Sequence, residues 1–466
     1  MNRRRALQLG AGLGALTGAG LLARYRLLPP RPSRVLEGVD VLARRFHDSL
    51  DEEQRATSCV EYDHPLRQYH NRGVWGGGRG IFLGFDRAQR ALLSDLLHAG
   101  LSDAGRARVP EEYYTRWPGV HSMRVLLCGD PGASPWQMIL TGAHVNLRLG
   151  GKSREGVAFG GPQVYGDQRG NGVAGLPGNL YREQFLLAQQ LLRGLDPGRR
   201  RAATLPEAPV QTQIEVRGRS ATPPGIPVAE LGTDERALVR RLVETILSTW
   251  PPQDVRHAQE CLEANGGIAA LHFASFEHGE DGPIPEGQVF RLEGPAAVFH
   301  FRGHPHVHAF VNVALDGEAP LSVGEPLGEN PRALEGDAVK ALFERALRAE
   351  TGADLAHYPR ASVVGRLRAG AIRSGDVYVL ESWQETAVVA GIRGANLGPH
   401  LRAQLAELGR PLEPQRVYAV ATTGWALDDG AQDLGRIETR REERMLRDLT
   451  VAHLRARGFA GVERPG

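Results

Sequence analysis

Four histidines fall within nine residues of this chain: His300, His304, His306 and His308. With 16 His in 466 residues, an even composition would place about 0.3 there. Imidazole is well suited to holding Zn, Cu, Fe or Ni. In an extended segment, residues i and i+2 project from one face. His306 and His308 therefore stand side by side, with Phe310 and Asn312 continuing their face. Val307, Ala309, Val311 and Val313 make the opposite, apolar face. An H-x-H pair supplies two adjacent ligands, and a third completes an open catalytic site. His144 is the candidate third ligand, because it too sits on a polar strand face and its His-Val-Asn setting mirrors His-Val-His at 306–308. An all-imidazole set selects Cu, Fe or Zn over Mg or Ca. Two alternatives stand beside the metal: a polar site that binds a substrate anion, and histidines that only satisfy buried backbone groups.

The neighbours of this trio divide into stronger and weaker candidates. A tight loop over 302–305 pairs Phe301 with His306, which turns His300 away from the pair and leaves His304 in the loop. His70, in the Gly- and aromatic-rich loop 69–80, is a lesser metal or polar candidate. Asn146 shares the His144 face, and Arg169 lies in a loop dense in hydrogen-bonding groups; both are substrate-binding candidates. Other signatures fail. Lys152-Ser153 follows Gly151, but Asn146 stands where a phosphate loop needs its first glycine. No G-x-S-x-G, H-E-x-x-H or strand-following G-x-G-x-x-G is present. Cys59, Cys128 and Cys261 make no CxxC, which argues against a cysteine zinc site and leaves one disulfide or three free thiols open.

Hydrophobic periodicity supplies the elements that must position these residues. Helices are predicted over 39–59, 86–108 (capped by Asp86), 180–195, 237–248, 255–264, 337–350, 401–408 and 442–457. Strands are predicted at 123–128, 136–149, 211–216, 267–275, 289–293, 296–301, 306–315, near Val377 and Val388, and at 417–422. Residues 197–235 carry six prolines and read as a linker or surface excursion, and 316–332 as a boundary. The fold class is α+β in two domains: a mixed α/β N-terminal domain with antiparallel strands over 35–325, and an α/β C-terminal domain over 335–466. A formal charge of +2, from interleaved cations and anions, gives no reason to expect nucleic acid or an anionic membrane as partner.

The N-terminus adds a location. Arg3, Arg4 and Arg5 precede Leu9–Ala23, an apolar stretch short of the roughly 20 residues that span a bilayer. Segment 1–28 resembles a twin-arginine export signal, with Ala6 and Gln8 where that pattern has Phe and Lys. The resemblance implies the twin-arginine translocase as partner and a periplasmic or extracytoplasmic location, with membrane contact only through this segment, cleaved or kept as an anchor.

Two further resemblances cover most of the chain. Ser49–Arg55, Asp63–Arg67 with Tyr69-His70, Asp86–Arg90, Trp136, Gly142–His144 and Phe290–Pro295 followed by His306–His308 occur in order over about 35–325. This resembles the exported bacterial family catalogued as domain of unknown function 3500, which brings no activity but treats His144, His306 and His308 as one constellation. Gly352–Ala356, Leu367–Gly370, Gly375–Tyr378, Val388–Leu397, Tyr418–Thr422 and Leu446–Asp448 resemble the C-terminal, substrate-binding domain of 5′-nucleotidases. That resemblance implies a base sandwiched by Trp383 and Trp425. The nucleotide-gripping Asn-Gly-Gly-x-x-Arg loop is replaced by 359–364, Glu385 replaces a neutral Asn, and the metallophosphoesterase motifs are absent. Core packing for the two indoles remains equally open.

Two functions are compatible with these residues. One is an exported metal-dependent enzyme, hydrolytic or oxidative, acting on a small molecule through His144, His306 and His308. The other is a non-catalytic extracytoplasmic receptor for an aromatic or nucleoside-like ligand, clamped by Trp383 and Trp425.

Overall fold

In the computed structural model, the described residues are 38–68, 78–106, 123–133, 135–142, 145–150, 158–160, 163–167, 180–209, 211, 214–279, 282–304, 306–317, 322–429 and 434–459. Hence His70, His144, Arg169 and the export-signal segment 1–28 lie outside them. The chain is mixed α/β around a large mixed sheet.

Eight strands carry that sheet: β1 Arg124–Gly129, β2 Trp136–Gly142, β3 Val145–Leu149, β4 Gln163–Asp167, β5 His272–Gly279, β6 Val289–Gly294, β7 Ala297–Arg302 and β8 Val307–Val313. Their order is β1-β2-β3-β4-β8-β7-β6-β5, all antiparallel, with five shorter strands at the flanks. Cross-strand partners share a face, so the pairings sort the side chains. Val307, Ala309, Val311 and Val313 face the main core with Leu140, Val145, Tyr165, Phe299 and Phe290, as alternation predicts. Helices α1 Val39–Asp48, α3 Arg87–Ala99, α4 Leu180–Gly194 and α5 Thr233–Leu247 cover that core face, with α2 Glu52–Ser58 at its margin. Helix α6, Pro252–Ala264, starts with proline in its first turn, where the missing N–H costs nothing. Asp86 caps α3 reciprocally with Gln89, as predicted.

The second face of the sheet is polar. His308, Phe310 and Asn312 share it with Arg302, His300 and Val298 on β7, and with Val289, Arg291 and Glu293 on β6. Segment 214–217 lies over it. Ile214 and Val216 pack with Phe310, Val164 and Val298, and Arg217 pairs with the buried Glu293, which also binds Arg291 at 2.8 Å.

Beyond residue 325 the chain builds helices α7 Asp337–Thr351, α8 Ser374–Leu380, α9 Pro399–Glu407 and α10 Leu446–Arg457. They accompany a four-stranded sheet of β9 Leu355–Ala356, β10 Thr386–Arg393, β11 Val417–Thr423 and β12 Ile437–Met445, in the order β9-β11-β10-β12. These elements have their own apolar clusters.

Several predicted elements are corrected. The helix predicted over 39–59 is two helices, because Asp51 caps a new one after Ser49. The strand predicted over 136–149 is a hairpin, Gly142 pairing with Val145; alternation continues through the reversal, so it gave no sign of it. Residues 197–235 are no linker: Thr204–Glu207 and Ile226–Pro227 both pair with β5, and Gln211–Val216 forms no strand among the described residues. Val377 lies in α8, not a strand, and 437–445 is strand before α10 begins. All three cysteines are free thiols.

Candidate functional site

The hairpin β7–β8 sets the site. Arg302 pairs with His308 and His300 with Phe310, so the loop is longer than the predicted 302–305. The prediction that His300 turns away is therefore wrong, since the longer loop changes the parity of the pairing. His300 points to the His308 face, 3% exposed, its ring between Phe310 and Phe276. Burial, with Arg291 and Arg302 nearby, holds its pKa well below the ordinary value, so it is neutral. Its ring is thus held in the sheet on the His308 face, against Phe276 and Phe310.

His306 and His308 do stand together. Their rings lie 4.7 Å apart at 68°, and their Nε2 atoms meet at 3.0 Å. Arg302 Nη2 lies 2.9 Å from His306 Nε2. Gln211 closes the group: its amide oxygen accepts from Arg302 Nε at 3.1 Å and from Nη1, and its nitrogen donates to His308 Nδ1 at 2.6 Å. With Nδ1 accepting, the neutral His308 ring carries its proton on Nε2, where it shares the one lone pair of His306 Nε2 with the Arg302 N–H. His304 joins His300, Arg302 and Gln211 around a small adjoining pocket of about 20 Å³, room for roughly one water.

Upstream residues reach this place through β4. Tyr165 pairs with Val145 on one side and with Ala309 on the other, and Gly166 pairs with His308. Strand β3, which begins at Val145, thus lies two strands from the histidine pair, across a glycine. Asn146 on β3 is 2% exposed on the same face, in the sheet interior. Trp383 and Trp425 belong to the other sheet's surroundings. Trp383 donates its Nε1–H to the Ser362 carbonyl at 2.7 Å, and the Trp425 backbone N–H donates to Glu385 at 3.3 Å. Both are half-buried.

A second concavity was not foreseen from the sequence. A cavity of about 790 Å³ is lined by Trp136, Phe159, Trp250, Arg148, Asp254 and His257, among others. Burial pushes the Asp254 carboxyl up to about 6, against the opposing effect of His257 one turn along α6. Phe159 adopts the left-handed backbone region, φ 60°, which is strained for an aromatic residue. The only sequence signal was the D-x-x-H spacing after Pro251-Pro252, which is common on helices. A third cluster is competent for metal: donor atoms of Glu344, His357 and His400 lie within 4.8 Å of one another.

The family described as "Protein of unknown function (DUF3500)" matches residues 33–314. The chain belongs to this family. The DUF3500 match runs from just before α1 to just past β8 and so contains the whole histidine hairpin. No curated protein matches the chain. Among solved structures, it is similar to a 5′-nucleotidase precursor from Thermus thermophilus, at 12% identity over 40% of this chain and 51% of that one, TM-score 0.25. It is also similar to a sulfate thiohydrolase, SoxB, from Thermus thermophilus in complex with glycerol, at 14% identity over 36% and 43%, TM-score 0.23. A putative 5′-nucleotidase from Staphylococcus aureus in complex with alpha-ketoglutarate gives 11% identity over 38% and 49%, TM-score 0.21. The chain spans about half the length of these solved chains.

Proposed function

We propose that this DUF3500 protein is an exported metal-dependent enzyme acting on a small anionic molecule. Its ligands are His306, His308 and His144, and Arg302 is the handle for the anion. The observation that carries the reading is the meeting of two Nε2 atoms at 3.0 Å on a strand pair. That is close to the separation of about 3.3 Å between two nitrogens bound to one tetrahedral ion. With its amide oxygen turned toward Nδ1 of His308, Gln211 is the partner that would orient a ligand ring. For an ion to take both Nε2 atoms, the His308 proton must move from Nε2 to Nδ1, the Gln211 amide must turn so that its oxygen accepts it, and Arg302 must turn from His306. Those hydrogen bonds are worth about 1–3 kcal/mol each, against roughly 10–16 kcal/mol for zinc in structural sites. The metal wins that competition, and the neutral His308 ring keeps its proton, now on Nδ1. Cu, Fe or Zn would supply a Lewis acid or a redox centre. Residues 1–28 would carry the protein out through the twin-arginine route, and the two sheets would be separate domains, the second a degenerate relative of the 5′-nucleotidase C-terminal domain.

The test is elemental analysis of the full chain purified from its native compartment, beside a His306→Ala/His308→Ala variant. One transition metal per chain that the variant loses supports the reading; a variant with undiminished metal, or a chain that takes up none, sinks it. A second reading is favoured by the Arg302–His306 contact: a metal-free basic site for an anion. In that case no metal is bound to the pair, and phosphate or a carboxylate raises the melting temperature in a manner lost in Arg302→Gln.

A further inference from the structure

We infer that Glu344, His357 and His400 form a second, independent site for a zinc-class divalent metal, which the Lys340 ammonium fills when the metal is absent. Three elements converge here. Glu344 lies on α7, His357 follows β9, and His400 is the second residue of α9. Glu344 Oε1 lies 3.4 Å from His400 Nε2 and 4.0 Å from His357 Nδ1. The first distance already equals the ligand-to-ligand edge of about 3.3 Å around tetrahedral zinc, and the second needs a ring shift of under about 1 Å. The two imidazoles meet at 5.2 Å and 67°.

The donors are held in place by the backbone. Tyr358 N–H donates to Glu344 Oε1 at 2.9 Å, and His357 N–H is tied to the Ala421 carbonyl at 2.9 Å. Glu344 and His357 side chains are 12% and 13% exposed, whereas His400 is 42% exposed, so the site opens to solvent on one side. Two imidazoles and one carboxylate with an open fourth position are a zinc-type donor set.

Lys340 shows that the donors select a cation. Its Nζ sits 2.6 Å from Glu344 Oε1 and 3.4 Å from His400 Nε2. A single charge on a four-carbon stem holds two of the three donors. A divalent ion brings twice the charge and engages His357 as well, while the lysine stem swings to solvent.

The experiment is a Co(II) titration of the metal-stripped full chain carrying His306→Ala/His308→Ala, which separates this site from the one proposed above. We expect one Co(II) per chain with the visible bands of a four-coordinate ion. A further Glu344→Gln or His357→Ala/His400→Ala change should abolish them. Lys340→Met keeps all three donors and removes the competitor; it should tighten binding about tenfold. No Co(II) uptake in the His306→Ala/His308→Ala chain overturns the inference. So does uptake unchanged by loss of the ligands. Should the ligand variants fail to fold, Lys340→Met decides alone: unaltered or weaker binding there overturns it.

Discussion

Asp254 is an acid whose chemistry departs from what its sequence suggests. Burial raises its carboxyl to about 6 from an ordinary 3.8. Between those values the folded chain holds a proton that the unfolded chain has lost, so stability falls as pH rises from about 4 to about 6. Above pH 6 the ionised, partly buried carboxylate is a standing cost of at most about 3 kcal/mol, less whatever cavity water screens. Asp254→Asn should therefore stabilise the protein at pH 7 and be neutral below pH 4, read by chemical denaturation across that range. A gain that does not depend on pH would sink the assignment. A poised acid beside two tryptophans and a histidine is also the arrangement a general acid needs. The sequence could not show it, because the cavity that Asp254 lines also gathers residues as distant as Asp40 and Trp136. The histidine pair was legible for the opposite reason: residues i and i+2 of an extended segment fall on one side, and His306 and His308 flank the first residue of β8.

Strands and helices were readable where alternation or capping was local, and misread where the chain changed direction without changing pattern. The β7–β8 hairpin shows how much hangs on this. Its strands were foreseen, but its loop length was not, and that length decides which face His300 takes. Likewise Thr204–Glu207, with a proline inside, pairs at β5, where Pro206 forgoes only one ladder bond. Within the sheet, Gly166 makes the site possible. A Cβ there would collide with the Val307 carbonyl and come within 3.2 Å of the His308 ring. Gly166→Ala should cost about 1–3 kcal/mol through that overpacking. It should also displace His308, lowering the metal content along with the melting temperature. A Gly166→Ala protein with full metal content and unchanged melting would show that β4 does not position the pair.

On the scale of the whole molecule, the two sheets are joined by polar groups that no local pattern announces. Gln68, next in sequence to the aromatic loop 69–80, donates to Asp376 Oδ1 on α8 at 2.8 Å and accepts from Val323 N–H at 2.8 Å. Asp376 also accepts from Ser322 Oγ at 2.9 Å and from Arg373 N–H at 2.8 Å, with Arg368 at 3.4 Å. Arg373 reaches back to Asp63, and Arg366 faces Glu215 at 3.8 Å over the polar face of the large sheet. Asp376 is thus the hub through which residues 63–68, 322–323 and 366–376 hold one another. Its side chain is 9% exposed, so the hydrogen bonds are largely shielded from water. Asp376→Ala leaves several donors and a cation unsatisfied together, which should cost about 3–5 kcal/mol. Because the lost contacts lie between two apolar clusters and not inside either, calorimetry of the variant should show two separated transitions, with the lower one belonging to residues 325–459, where the wild type is expected to show one. Asp376→Asn keeps the shape and some acceptance, and should lie between the two. One undivided transition at the wild-type temperature in Asp376→Ala would mean that apolar contact alone couples the sheets, and that Gln68 and its partners only decorate the seam.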